Sequence, residues 1–352
     1  MKKVVLLIAL ALGTGGAFAQ KINSKELKQL QAFLTQPAEL VATNAQALNI
    51  TDLSNPIGWE GVTIENGHVV QLQWKGKHLA GSLNLSGFSA LKEVNVSRNN
   101  LSQLSVANNP VLASLDASRN KLSDFSADNC SSLNNLKINR NRLTTLNLSG
   151  TMALKTLNCS GNLFVELSVA NSPTLVTLNC QDCHIEALNV SGCKALKNLY
   201  CGYNKLTSLA LIDVENLANI NIDDNRIDKL YLNNLPSLTS FMCSDNNMTQ
   251  LAISNCNALS DLVCSFNDLT SLSVDNCPNL TYVDCSYNDL TYLDLSNQYF
   301  LERLICNNNQ LSTLDVSFDS ALRFINCRFN SIFDLRAVGC TNLRMVACRW
   351  NF

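Results

Sequence analysis

The chain has 352 residues, with 26 basic and 28 acidic side chains and a formal net charge of −2. A balance this close to neutral supplies no global field for nucleic acid or an anionic membrane, so only local patches can speak about partners. The length would hold two ordinary domains, but a fixed internal period points instead to one elongated solenoid.

The first segment, MKKVVLLIALALGTGGAFAQ, has two lysines, an apolar run and small residues ending Ala17-Phe18-Ala19, the layout of a secretory signal cleaved before Gln20. Its apolar run is too short to cross a bilayer comfortably. The mature chain is therefore expected to be exported, to the periplasm, the medium or the cell surface, without membrane insertion.

After the signal, Leu27, Leu30, Phe33 and Leu34 fall at helical spacing behind a candidate Ser24 cap. A short amphipathic helix here would cover the apolar end and free strand edge of the first coil. Asn66-Gly67 reads as a tight turn between two short strands, with Trp59 packing on the first coil. Residues 20–68 are thus expected to form a cap and residues 69–352 the repeat array, beginning with an irregular unit that carries one extra residue around Leu79 to Leu83.

From Leu91 a leucine opens each unit at intervals of twenty-one residues, through Leu112, Leu133, Leu154, Leu175, Leu196, Leu217, Leu238, Leu259, Leu280, Leu301 and Leu322 to Leu343. That makes twelve complete units and a half. Alternation around the first apolar triplet makes a short strand, and strands one unit apart align in parallel at about 4.8 Å, so thirteen make a sheet roughly 60 Å long. The second triplet, such as Leu269, Leu272 and Val274, turns into the same core from the opposite wall. It is too brief for a full helix and favours short strand or 3₁₀ segments.

Asparagine recurs at Asn99, Asn120, Asn141, Asn162, Asn204, Asn225, Asn246, Asn267, Asn288, Asn309, Asn330 and Asn351. An amide donates and accepts at once, which suits an inward-turned corner where adjacent coils leave backbone groups unpaired. Cys183 breaks this row and cannot replace both hydrogen bonds, so stacking should be weaker there. Cys159, Cys180, Cys201, Cys243, Cys264, Cys285, Cys306, Cys327 and Cys348 share a slot with Val96, Ala117, Ile138 and Ile222. Exchange with aliphatic residues identifies these thiols as small buried hydrophobes, and parallel side-chain vectors one strand apart suit a disulfide poorly. Cys130, Cys193, Cys256, Cys277 and Cys340 share a second fixed position, and Cys183 completes the fifteen.

The grammar LxxLxCxxNxLxxLxV, with a twenty-one-residue unit and cysteine at the third strand position, resembles the bacterial leucine-rich repeat proteins of the internalin class, in particular the internalin J type with its cysteine ladder. The likeness runs from about Val69 to Phe352. It implies a curved right-handed coil, mostly β, with a parallel sheet on the concave face, short segments on the convex face, and a role in recognising proteins.

Motifs for chemistry are few. Cys180-Gln-Asp-Cys183-His184 spells a c-type haem attachment site, but the repeat accounts for both cysteines. His68, His78 and His184 have no metal-ligand spacing, and no Gly-framed serine nucleophile is present. Asp223, Asp224 and Asp245 read as solvated surface carboxylates. The expectation is no enzyme, no cofactor and no metal.

The positions the fold leaves free are more informative. The slot before each asparagine reads Arg98, Arg119, Arg140, Gly161, Asp182, Tyr203, Asp224, Asp245, Phe266, Tyr287, Asn308, Phe329, Trp350, zoned basic, acidic, aromatic. Read as outward strand positions, these form a concave recognition face together with Tyr200, Met242, Val263, Tyr282, Ile305 and Phe324. Lys121, Lys137 and Arg142 reinforce its basic zone. The bland alternative has Glu93 and Asp116 neutralising the arginines and the aromatics packing along one another. The partner expected is a protein, with a glycan stacking on the aromatic zone as the second reading. The last strand's edge, guarded by Arg344 and Arg349, would either be plugged by Trp350 and Phe352 or pair with another chain.

Overall fold

The computed structural model describes residues 22–295 and 298–351, so the candidate secretory signal and Phe352 lie outside the described residues. Helix α1 (Ser24–Leu34) is capped by Asn23 rather than Ser24: the Asn23 side chain accepts from the Lys25 and Glu26 N–H groups. Leu30, Phe33 and Leu34 are buried, and Phe33 stacks on Trp74 at 5.9 Å. Glu26, also buried, accepts from Val69 N–H at 2.8 Å and meets His68 Nδ1 at 2.8 Å, tying the helix to the array.

A short second helix, α2 (Asn44–Ala47), completes the lid. Two side-chain amides take the place of a missing strand along the first exposed edge. Asn44 donates to Ala80 O and accepts from Ala80 N–H, and Gln36 does the same for Ser82. Strands β1 (Val62–Glu65) and β2 (His68–Gln73) form an antiparallel hairpin. Asn66 and Gly67 both lie in the left-handed region between them, as the right-handed twist of a two-residue hairpin demands.

From β2 onward the main sheet is parallel and unbroken. Its fifteen strands comprise the hairpin and one strand per unit, from Glu93–Asn95 to Met345–Ala347. The pairing offset is 22 residues at Gln71↔Glu93 and 21 from Ser82↔Gln103 onward, and the pairing register shifts between Gly81 and Ser82.

The second wall is a series of short sheets of three, two, three and two strands. No strand forms over residues 145–149, 208–212 or 292–295, and no 3₁₀ turn occurs among the described residues, so the convex segments are strands and irregular chain only. Strand pairing needs a spacing of about 4.8 Å. A wall that keeps it throughout and an opposite wall that holds it only in runs of two or three are the inner and outer sides of an arc.

Between the walls, the recurrent asparagines bind successive coils. Asn267 Oδ1 accepts from Met248 N–H at 3.0 Å, while Nδ2 donates to Cys243 O at 3.0 Å and Cys264 O at 3.2 Å. The same three bonds recur at Asn120, Asn141, Asn225, Asn288 and Asn330. Cys183 manages part of this. Its thiol donates to Cys159 O at 3.4 Å and accepts from Asn162 N–H at 3.5 Å, with no counterpart of the amide-oxygen bond for Phe164 N–H. The described cysteines are all free thiols. The ladder thiols from Cys159 to Cys327 are fully buried, and burial pushes Cys201 and Cys285 up to about 12. Cys348, just after the last strand, is exposed instead.

A second inward column performs a related task. Asn109, Cys130, Cys193 and Cys340 each donate to the carbonyl 24 residues earlier, at 3.0 to 3.1 Å. Asp319 occupies this column, is buried, and has no hydrogen bond to either carboxylate oxygen among the described residues. Burial, and then the charge of Asp315, push its carboxyl up to about 7.

Two outcomes follow from these corners. Cys183→Asn restores the missing acceptor and should raise stability by about 1 kcal/mol, read from the urea midpoint. Because the Asp319 pKa is higher folded than unfolded, its ionisation weakens the fold progressively as pH rises from about 4 to 7 and costs no more above that. Asp319→Asn supplies a donor like Asn109 and should remove that slope, stabilising the protein by about 2 kcal/mol at pH 8.

Candidate functional site

The slot ahead of each asparagine is not on the strand. Each main-sheet strand is followed by one inward residue and one outward residue, and the slot comes next, at the corner where the chain turns under. All thirteen slot residues, from Arg98 to Trp350, have φ between +52° and +64°. The next residue can then point its amide inward, so the turn and the asparagine are one device. This left-handed conformation suits Gly, Asn and Asp, which hold it at Gly161, Asp182, Asp224, Asp245 and Asn308. The other eight slots carry Arg98, Arg119, Arg140, Tyr203, Phe266, Tyr287, Phe329 and Trp350. For such side chains the conformation costs about 1 kcal/mol each relative to glycine.

These corners run beside the open face of the main sheet. On the face itself stand the outward strand residues, Tyr282, Arg303 and Phe324 in one row and Tyr200, Met242, Val263 and Ile305 in another. Thus the strand-borne site residues and the slot residues form adjacent parallel rows.

In the basic zone, Arg98, Arg119 and Arg140 make no ion pair among the described residues. The carboxylates that could neutralise them are engaged elsewhere: Glu93 accepts from Gln71 and Gln73, and Asp116 from Ser118. In the acidic zone, Asp223 accepts from Ser244 N–H at 2.8 Å and from Asn221 Nδ2 at 2.7 Å. Desolvation raises the carboxyls of Asp223 and Asp245, with the Asp224 charge adding to both. That same Asp224 charge is the main force raising the Tyr203 phenol.

The aromatic zone is ordered. Phe266 and Tyr287 stack at 4.3 Å with planes 9° apart, and Phe329 and Trp350 stack at 4.5 Å and 10°. Each of the four rings remains about half exposed. Stacking along the solenoid axis turns ring faces toward one another and ring edges outward, which is the wrong presentation for a sugar platform. In the next row, the Arg303 guanidinium lies between Tyr282 and Phe324, at 5.9 and 4.7 Å from their ring centres. Sequence reasoning passed over Arg303, although aromatic residues twenty-one positions to either side were a readable signal.

Elsewhere, the haem-like motif is absorbed by the fold: Cys180 and Cys183 are fully buried, one as a ladder thiol and the other at the asparagine corner. His68 and His78 sit by the cap, against Glu26 and Glu39.

No protein-family model matches this chain, and no curated protein matches it. Solved structures do. The leucine-rich repeat domain of APL1B aligns with a TM-score of 0.55 and 23% identity, over 64% of this chain and 70% of that one. YopM from Yersinia enterocolitica aligns with a TM-score of 0.55 and 25% identity, over 74% of this chain and 62% of YopM, so the match spans less than two thirds of that protein. The functional domain of InlJ from Listeria monocytogenes, which includes a cysteine ladder, is 25% identical over 76% of this chain and 72% of its own, with a TM-score of 0.47. The fold is that of a leucine-rich repeat solenoid.

If the left-handed corner is strained by its bulky occupants, Arg119→Gly should stabilise the solenoid by about 1 kcal/mol, seen as a higher urea midpoint with unchanged far-UV circular dichroism.

Proposed function

We propose that this leucine-rich repeat solenoid is an exported, non-catalytic recognition protein that holds a protein partner against the open face of its main sheet, in the internalin manner. The observation that carries the reading is the occupancy of the left-handed corners. Eight of thirteen hold bulky side chains in a conformation that disfavours them, in a fold whose other corners show that Gly, Asp or Asn serves equally well for stacking. The arginines gain no ion pair there among the described residues, and the rings recover only part of the cost through pairwise stacking. Side chains kept in place against the preference of their own backbone mark a surface used for something other than stability.

The zoning supplies direction. Unpaired guanidinium groups stand toward one end, a carboxylate cluster in the middle, and rings with cations toward the other end. A second copy laid face to face in either orientation would set the carboxylate cluster against itself, so the face suits a different protein. Aromatic and arginine side chains are the residue types that dominate binding energy at protein interfaces.

Replacing Phe266, Tyr287 and Phe329 together by serine should abolish capture of the partner that wild-type protein retains from a surface-protein extract, while circular dichroism and the unfolding midpoint stay near wild type. Capture at wild-type level by the folded triple variant would overturn the assignment.

A further inference from the structure

Three consecutive coils carry two parallel rows with the same ends and different middles. In the strand row, Tyr282 and Phe324 enclose the planar guanidinium of Arg303. In the corner row of the same coils, Tyr287 and Phe329 stand on either side of Asn308, whose short side chain does not stack with them. Two coils separate those rings by about 9.6 Å, so a planar group midway would meet each at about 4.8 Å. The stacks on either side already use nearly that spacing, Phe266 with Tyr287 at 4.3 Å and Phe329 with Trp350 at 4.5 Å.

We propose that the gap above Asn308 is a slot for one aromatic side chain of the partner, presented on an acidic segment. The inference rests on the open face being the binding surface and specifies what binds there. A guest ring would join the two pairs into a continuous stack of five, covering the two inner ring faces that stacking has not yet covered. An aromatic guest is favoured over a guanidinium by charge. Arg303 is carried by the same coil as Asn308, Arg328 and Arg349 by the next two, and none forms an ion pair among the described residues. Arg328, adjacent in sequence to Phe329, has its Nε buried without a hydrogen-bond acceptor among the described residues. Asp284, on the open face one coil before Asn308, already accepts from the Ser286 N–H and hydroxyl. Carboxylates flanking the guest ring would therefore meet unpaired cations, and a flanking lysine would be repelled.

Three blocked tripeptides test this against the full chain by NMR titration: acetyl-Asp-Trp-Asp-amide, acetyl-Lys-Trp-Lys-amide and acetyl-Asp-Leu-Asp-amide. The first should bind with a dissociation constant on the order of 1 mM and shift the Asn308 side-chain amide upfield by ring current, with each of the others about tenfold weaker. Asn308→Trp fills the slot with the protein's own ring, in a corner where Trp350 already holds that conformation, and should abolish binding of the first tripeptide while the protein stays folded. Asn308→Gly leaves the slot open and should retain it. Equal binding of the leucine or lysine peptide, undiminished binding to folded Asn308→Trp, or no binding to wild type would overturn the slot. If the serine triple variant loses its partner while the tripeptide fails to bind wild type, the recognition face stands and only the slot falls; a triple variant that keeps its partner removes the reading beneath both.

Discussion

One constraint governs this molecule: each coil must offer the next the same backbone groups at a fixed step of about 4.8 Å. Outward strand residues and corner residues are free to vary only because the asparagine corner meets that demand independently of them. Its amide accepts from the coil before and donates to carbonyls of both, so a buried turn that would otherwise strand three polar groups is satisfied by one side chain. The positive φ of the preceding residue is the geometric condition for that amide to turn inward. Register, corner conformation and the direction of every outward side chain are consequences of the same bridge.

The arc follows from how the two walls meet the step. The inner wall satisfies it thirteen times in succession, whereas the outer wall breaks after two or three strands wherever the accumulated divergence exceeds what a ladder tolerates. Residues 145–149, 208–212 and 292–295 are those relief points. Local composition does not single them out, since Leu146, Leu209 and Leu293 occupy the same apolar slot as the paired Leu251 and Leu272. Curvature is a property of the whole stack, and that is why it could be expected from the resemblance but not located residue by residue.

Other features divide along the same line. The period, the strand in each unit, the structural role of Asn267 and its equivalents, and the burial of the ladder thiols were legible because each is repeated many times, and repetition exposes what stacking dictates. Non-repeated contacts were not legible. Nothing in the local pattern shows that Gln36 and Asn44 would act as a surrogate strand for Ala80 and Ser82, or that Glu26 would be buried against His68 and Val69. The slot residues read as outward strand positions in the sequence, whereas the structure sets them at the left-handed corner beyond the strand. Gly161, Asp182, Asp224, Asp245 and Asn308 in that same slot were the available sign of positive φ, since few other residues share such a preference.

That shift from strand to corner changes what the aromatic zone means. Rings on the strand stand upon the sheet itself, as Tyr282 and Phe324 do about Arg303. At the corner, the backbone projects them in file along the solenoid axis, so each ring's face is a coil step from the next and only a break in the file leaves faces uncovered. Asn308 is such a break, and the neighbouring row shows what the two-coil interval accommodates, because Arg303 already fills it from within the chain. The strain accepted at Phe266, Tyr287, Phe329 and Trp350 then has a geometric return: a left-handed corner is the one place in each coil from which side chains can stack in register beside, rather than upon, the open sheet.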